Sequence, residues 1–320
     1  MNNIEVVGLG ALNADNICKV KRILDDGEAA AEEANTFPGG SAANTIYGLA
    51  KLGLKTGFIG AVGDDAAGSL ILDDFNSVGV DTSQISVKNG QASGSTICLS
   101  ANDGKRSIYV NPGANSLLQG SDISLDYINN ASLVHISSFA KPEQLEFVKE
   151  VIAGIKPAVK ISFSPGELYA SMGLEALSTV LKKTHLLFAN RSEIETLSGK
   201  DIMTGAEMCI EKGCHTVIVT MGKGEIIGND GQKTAICYIR DADSEYVIEP
   251  SRSDDINIVD STGAGDAFAA GFLYGWLKGK KTRECALLGE IVAGFSMEKL
   301  GARQGLPAPA RLEERYRRIF

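Results

Sequence analysis

Between residues 133 and 219 the chain repeats one pattern, a short apolar run followed by a longer amphipathic stretch. Leu133–Ile136 precedes Pro142–Ile155, Val159–Phe163 precedes Leu174–Lys182, His185–Phe188 precedes Ala206–Lys212, and Val217–Val219 follows. The short β-branched runs read as strands, while the stretches between them have the length and spacing of helices. Strands that alternate with helices pair in parallel, because each helix returns the chain across the sheet. The repeat therefore predicts an α/β fold with a mostly parallel central sheet covered by helices on both faces. A chain of 320 residues is long enough for that to be one domain, 1–320, with a generous core.

Two regions break the rhythm, Ile17–Phe37 and Ser95–Val110. In the second, Ser95–Ser100 and Arg106–Val110 flank the turn Asn102-Asp103-Gly104, which is the pattern of a hairpin. With no helix to bury them, these strands are expected to form a small sheet projecting from the main domain, inserted at about 15–38 and 93–112. Such a sheet could act as a lid that closes over a substrate, or pair with a second copy in a homodimer; a hairpin lying flat on the core is the alternative.

A formal charge of -9 argues against nucleic acid or an anionic membrane as partner, so any phosphate must be held locally. No apolar run reaches the roughly 18 to 20 residues of a membrane span, and Ile4–Leu12 lacks the flanks of a signal peptide, so a cytoplasmic location is expected. The six cysteines show no CxxC pair and the three histidines no metal-ligand spacing. Chemistry is thus expected from carboxylates and backbone amides, and 36 glycines allow close approach of backbone to ligand.

The most informative stretch is Ile258-Val259-Asp260-Ser261-Thr262-Gly263-Ala264-Gly265-Asp266-Ala267-Phe268. An apolar strand is expected to run into Gly263-Ala264-Gly265 and then into a long helix to about Leu277, placing bare amides at a helix N-terminus. Asp266 falls in the first turn, where the dipole favours its anion. A base beside an anion hole suits phosphoryl transfer, in which amides neutralise the moving group and the carboxylate takes the proton of the attacking hydroxyl. Dipole compensation and close packing would alone explain the same residues.

The run Asp260–Phe268 resembles the C-terminal signature of the PfkB family of carbohydrate and nucleoside kinases. Pro38-Gly39-Gly40-Ser41-Ala42-Ala43-Asn44, with Lys51-Leu52-Gly53 and Gly60-Ala61-Val62-Gly63-Asp64-Asp65, resembles the family's other signature. The similarity covers nearly the whole chain and implies a ribokinase-like three-layer α/β/α domain with a small β-sheet lid. It also implies an ATP-dependent kinase acting on a hydroxyl of a sugar or nucleoside.

On the substrate side, Gly39-Gly40 ahead of a helix-like Ser41–Leu52 would let a polyol lie against backbone, with Asn44 offering donor and acceptor. Asn13 and Asp15, two apart on an extended segment, face the same way and can grip adjacent hydroxyls. Asn-Ala-Asp at this position, Ser93–Ile97 and Pro112-Gly113-Ala114-Asn115 are similar to ribokinases. Where those place a sugar-binding glutamate, however, this chain has Ser137-Ser138-Phe139. Phe139 could instead stack on a base, as in a nucleoside kinase, and Ser162-Phe163-Ser164-Pro165-Gly166 is similar to archaeal nucleoside kinases.

On the nucleotide side, Asn190-Arg191-Ser192-Glu193 matches the family's N-x-x-E element, implying that Asn190 and Glu193 position Mg²⁺ and phosphate through water. Thr220, Gly222 and Gly224, in a turn expected to end the next strand, are the implied ATP contacts, with Lys223 beside them. A monovalent cation, K⁺, is implied at Asp260, Thr262, Ser296, Lys299 and Gly301, although Gly305 stands where ribokinases carry a serine. A P-loop is absent from the sequence and Gly8-x-Gly10-x-x-Asn13 lacks the third glycine of a dinucleotide fingerprint. A non-catalytic sugar or nucleotide sensor is the competing class, against which Asp266 argues.

Overall fold

The computed structural model describes residues 4–101, 105–227, 233–250 and 257–319; the turn expected at 102–104 lies outside them. β1 (Val6–Leu9) leads into β2 (Asn13–Val20), β3 (Glu33–Gly39), α1 (Ser41–Lys51), β4 (Thr56–Gly63), α2 (Ala66–Ser77) and β5 (Asp81–Lys88). Then come β6 (Gly94–Ala101), β7 (Arg106–Asn111), α3 (Leu125–Asn129), β8 (Leu133–Ser137), α4 (Gln144–Gly154), β9 (Lys160–Ser164), α5 (Gly166–Ala170) and α6 (Gly173–Leu181). They are followed by β10 (Leu186–Asn190), α7 (Arg191–Ser198), α8 (Ile202–Glu211), β11 (Thr216–Ile227), β12 (Lys233–Asp241) and β13 (Glu245–Ile248). Three helices complete the described residues: α9 (Ala264–Leu277), α10 (Thr282–Met297) and α11 (Pro309–Ile319).

The large sheet has the order β13-β12-β11-β10-β9-β8-β1-β4-β5. From β5 to β11 the pairings are parallel, while β12 and β13 add an antiparallel edge. Alternate side chains of each strand feed two separate cores. Val7, Leu9, Val134 and Ile136 pack with α4, α6, α7 and α8, whereas Val6, Phe58, Leu186 and Ile218 pack with α1, α2, α9 and α10. A sheet buried on both faces favours apolar residues on both, which is why these strands read as near-continuous runs rather than as alternation; the buried His135 and Ser162 are tolerated because they hydrogen-bond each other at 2.9 Å. Each fully buried Leu, Ile or Phe contributes about 1.5 to 3 kcal/mol, so the two cores hold the strand ends rigidly enough to present a site.

The two irregular regions join as a separate four-stranded sheet of order β3-β2-β6-β7. Its centre is a parallel pairing between β2 and β6, with Asn13 opposite Gly94 and Val20 opposite Ala101. The point where β6 leaves the body is pinned by Ser93. Its hydroxyl donates to Asp65 Oδ1 at 2.6 Å and accepts from the Gly63 amide at 2.9 Å, while its own amide donates to Asp65 Oδ2 at 2.9 Å. Asp65 also caps α2 through the Gly68 amide, so one carboxylate joins α2 to the root of the smaller sheet.

Two local expectations fail. Ile258 and Val259 form no strand; they are half exposed, and the segment is held by the Val259 amide donating to the Met297 carbonyl at 2.8 Å. β11 does not end at Thr220 but continues to Ile227, crossing an irregularity between Thr220 and Glu225 where Gly222 and Gly224 take left-handed φ of 53° and 94°. The glycines marked a bulge within a strand, which sequence cannot tell from a turn that ends one. Among the described residues no helix is long and apolar enough to cross a membrane. The six cysteines are free thiols, five of them buried.

Candidate active site

The carboxyl ends of β1, β9 and β10, with Thr220 of β11 just before its bulge, meet the N-termini of α1, α7 and α9 on one side of the large sheet, where ligands of parallel α/β proteins bind. α9 begins there because Gly263 adopts φ 71°, and a side chain at 263 would also overlap Ala302. Of the three residues expected to form the anion hole, Ala264 does not contribute freely. Its amide closes a turn onto the Ser261 carbonyl at 3.2 Å. Among the described residues the amides of Gly263, Gly265 and Asp266 have no intramolecular acceptor, so two of the three expected amides are unengaged and that of Asp266 joins them.

Asp266 is the third residue of α9 and is partly buried. Its Oδ1 accepts from the Ser41 hydroxyl at 2.7 Å, its Oδ2 from Asn44 Nδ2 at 2.8 Å, and its carbonyl from the Thr45 hydroxyl at 3.3 Å. All three donors belong to the first turn and a half of α1, so two helix N-termini meet on one carboxylate. The dipole was expected to hold Asp266 as a ready anion. Burial outweighs it and pushes the pKa up to about 7; the Asn44 and Ser41 donors pull it back down, and Glu193 and Asp15 add further upward pressure. A carboxyl balanced near neutrality accepts a proton at little cost, as a general base must.

Asn13 and Asp15 lie on one face of β2, as their spacing required. Asn13 Oδ1 accepts from Asn115 Nδ2 at 3.0 Å, and Asp15 Oδ1 accepts from the Thr96 hydroxyl at 2.7 Å. Asn115 also brackets Leu12, its Oδ1 taking the Leu12 amide and its Nδ2 the Leu12 carbonyl, which fixes the exit from β1. Gly39 stands opposite Asn13 in β3, and any Cβ there would overlap the Asp15 carboxylate. Gly40 caps α1 at φ 104°, with the Ala11 carbonyl where a side chain would go. Chain packing by itself therefore demands glycine at 40.

Asn44 does not offer a free acceptor. It is buried, and its Oδ1 takes the Arg303 Nε–H at 2.8 Å while its Nδ2 serves Asp266. Phe139 is likewise unavailable: it is 1% exposed in the core against Phe147, ring centroids 6.1 Å apart, so it cannot stack on a ligand base. Ser137 instead ties β8 to α1 by accepting the Ala42 amide at 3.1 Å.

Asn190 and Glu193 form a reciprocal capping box on α7. Asn190 Oδ1 accepts the Glu193 amide, and Glu193 Oε2 accepts the Asn190 amide, both at 2.9 Å. Burial chiefly, and the nearby Glu167, raise the Glu193 pKa despite the Asn190 amide. One cavity is shared by Asn190, Glu193, Thr220, Gly265, Asp266 and Ser41, so the nucleotide-side and catalytic candidates converge. Thr220 sits beside Asn190 in register; Gly222 and Gly224 lie beyond it in the bulge.

Of the candidate cation residues, Asp260, Thr262 and Gly301 are joined directly. Asp260 Oδ1 accepts from the Thr262 amide and hydroxyl at 2.9 and 2.7 Å, and Oδ2 accepts from the Gly301 amide at 2.9 Å. Ser296 is buried near the end of α10, and its carbonyl faces the long Lys299 amide contact of 3.5 Å; the Lys299 side chain is exposed.

Two residues had no role assigned from sequence, Ser41 and Arg303. Ser41 sat inside a recognised motif but at a helix start, where serine is unremarkable. Arg303 is 2% exposed, and nothing in a linear reading separates a buried arginine from the many exposed ones.

Unengaged amides at a helix start, beside a carboxyl whose pKa burial raises to about 7, at the rim of a parallel sheet, are groups that phosphoryl transfer to a hydroxyl can use. The comparisons specify the family. The chain belongs to the pfkB family of carbohydrate kinases, whose pattern matches residues 2–309. An uncharacterized sugar kinase of Archaeoglobus fulgidus is 39% identical over 260 residues, covering 81% of this chain and 98% of that protein. The ATP-dependent ribose-1-phosphate kinase of Halopiger xanaduensis is 28% identical and covers 96% of each chain. Among solved structures, the nucleoside kinase of Methanocaldococcus jannaschii, an archaeal member of the ribokinase family, superposes with a TM-score of 0.80 at 23% identity over 99% of this chain and 100% of that one. The large sheet with its smaller companion is thus a ribokinase-like α/β fold.

Proposed function

We propose that the protein transfers the terminal phosphoryl group of ATP to a primary hydroxyl of a sugar, with Asp266 as general base. The observation that carries this reading is the doubly held Asp266 carboxyl beside the unengaged amides of Gly265 and its own residue. Asp15 and Asn13 grip the sugar's other hydroxyls, the Gly39-Gly40 backbone lets the sugar lie close beside them, and Asp266 removes the proton as the new P–O bond forms. The leaving β-phosphate oxygen keeps the electron pair, and the amides of Gly263 and Gly265 balance charge on the moving group.

In this reading Asn190 and Glu193 would hold Mg²⁺ through water, the half-buried Glu193 carboxyl, whose anion burial disfavours, being one that a cation would stabilise; Thr220 in the same cavity would flank the nucleotide, with Gly222 and Gly224 beyond it. When bound, the ion neutralises phosphate charge. We place K⁺ at the segment Asp260–Thr262 with Ser296, Lys299 and Gly301, which the Asp260 hydrogen bonds hold together; turnover unchanged when a bulky organic cation replaces K⁺ would remove it. The smaller sheet acts as the lid. Its exposed Ile97, Ile108 and Tyr109 supply apolar surface for closure or for pairing with a second copy.

A nucleoside acceptor is the second reading. A cavity between the smaller sheet and residues 258–262, walled by Ile17, Cys98 and Val259, gives apolar room for a base that Phe139 does not provide. ADP release from MgATP separates the readings when measured with ribose, fructose, ribose 1-phosphate, adenosine, inosine and cytidine. Turnover with sugars alone supports the first and with nucleosides alone the second. No turnover on any, with binding retained, would favour a sensor.

A further inference from the structure

The guanidinium of Arg303 divides its donors among three segments. Nε donates to Asn44 Oδ1 at 2.8 Å, Nη1 to Asp74 Oδ2 of α2 at 2.6 Å, and Nη2 to the Gly39 carbonyl at 3.1 Å. The Tyr47 and Phe75 rings flank it, centroids 5.3 and 5.2 Å from Cζ, and Asp15 adds a favourable field. A lone ion pair with Asp74 would satisfy the charge; the other two contacts go instead to residues of the site.

Their effect follows from donor chemistry. A guanidinium only donates, so it can meet Asn44 only at the amide oxygen, and this turns the amide nitrogen to Asp266. Without Arg303 the Asn44 Oδ1 would lose this charged donor and the amide would keep only its Nδ2 contact to Asp266, so its orientation would be set at one end instead of two. The same guanidinium holds the Gly39 carbonyl, and Gly39 lies against Asp15, so the base and the hydroxyl-gripping carboxylate are referenced to one rigid fork.

We propose that Arg303 is a positioning residue, which orients the Asn44 amide toward Asp266 and fixes the distance between the base and the Gly39–Asp15 side of the site. The proposal rests on the reading of Asp266 as the base. It concerns transfer geometry, so it predicts loss in kcat rather than in ATP affinity.

The test is a double-mutant cycle in kcat between Arg303→Met and Asn44→Ala, using full-length protein and the acceptor found in the panel above. Each single variant should lose about 10- to 100-fold in kcat with KM for ATP within about twofold, and the double variant should lose scarcely more than either. Arg303→Lys should not restore kcat, because an ammonium cannot serve three coplanar acceptors. If Arg303→Met does not fold, Arg303→Met with Asp74→Asn removes both charges and enters the same cycle. A wild-type kcat in a variant that has merely lost thermal stability would overturn the proposal, as would losses that multiply in the double variant. Asp266→Asn run alongside separates the two claims: turnover retained there would sink the base assignment itself.

Discussion

Exchanging Asp266 for Asn should make the protein more stable with rising pH, relative to wild type, while destroying turnover. Burial lifts this carboxyl from 3.8 to about 7, so the native state holds its proton more tightly than the unfolded chain does. Below the unfolded value both states are protonated and the group costs nothing. Between the two values only the unfolded chain ionises, so wild-type stability falls as pH rises, and above about 7 the loss is complete. At 1.36 kcal/mol per pKa step the full loss is about 4 kcal/mol, of which about 2.5 kcal/mol develops between pH 5 and pH 8. Asparagine escapes this cost and can keep both contacts, its Oδ1 accepting from Asn44 Nδ2 and its NH₂ donating to the Ser41 hydroxyl, so whatever offset remains is independent of pH. Subtracting wild type from variant therefore isolates the slope whatever the offset. Urea unfolding of both proteins at pH 5 and pH 8 reads it, and ADP release should fall by about 10² to 10⁴. A stability difference that stays flat across that range would refute the burial argument, and turnover within tenfold of wild type would refute the role as base.

Wild-type kcat should itself drop about tenfold per pH step below 7 and level off above it, as steady-state rates across pH 5.5 to 9 would show. Gly39→Ala displaces the Asp15 carboxylate, so KM for the acceptor should rise about tenfold or more with KM for ATP little changed in initial-rate measurements. Gly265→Ala has open space around the new methyl and sits in a helix, so thermal melts should show stability held or raised by up to about 1 kcal/mol. Its kcat should fall nonetheless, because the methyl projects beside the anion hole. Phe139→Ala should cost about 3 to 5 kcal/mol in urea unfolding while the ranking of sugars against nucleosides stays as in wild type.

The layered sheet was legible because its signal is local and redundant. Each strand from Leu133 to Val219 carries its own apolar run, and burial on both faces keeps polar interruptions few, His135 and Ser162 pairing with each other inside the sheet. The smaller sheet was legible by default, from strands with no helix to cover them. What resisted reading was anything decided by three-dimensional competition. The head of α9 looks favourable to an anion in sequence, yet burial under α1 reverses the balance at Asp266. Phe139 beside a site motif looked like a ligand contact, but α4 encloses it. Arg303 lies 259 residues from Asn44, a separation at which no spacing rule operates. Gly222 and Gly224 announce positive φ without saying whether the strand stops or bulges.

The parallel seam between β2 and β6 also bears on how substrate preference can be redesigned or inherited. Its two halves are separated along the chain by α1, β4, α2 and β5, all of which belong to the main body. Neither excursion can complete its hydrogen-bonded edge without the other, so a single crossover between relatives would mate one protein's strand with a stranger's. Exchanging the smaller sheet requires two coordinated cuts, and a chimera made with one should expose backbone at the seam and aggregate.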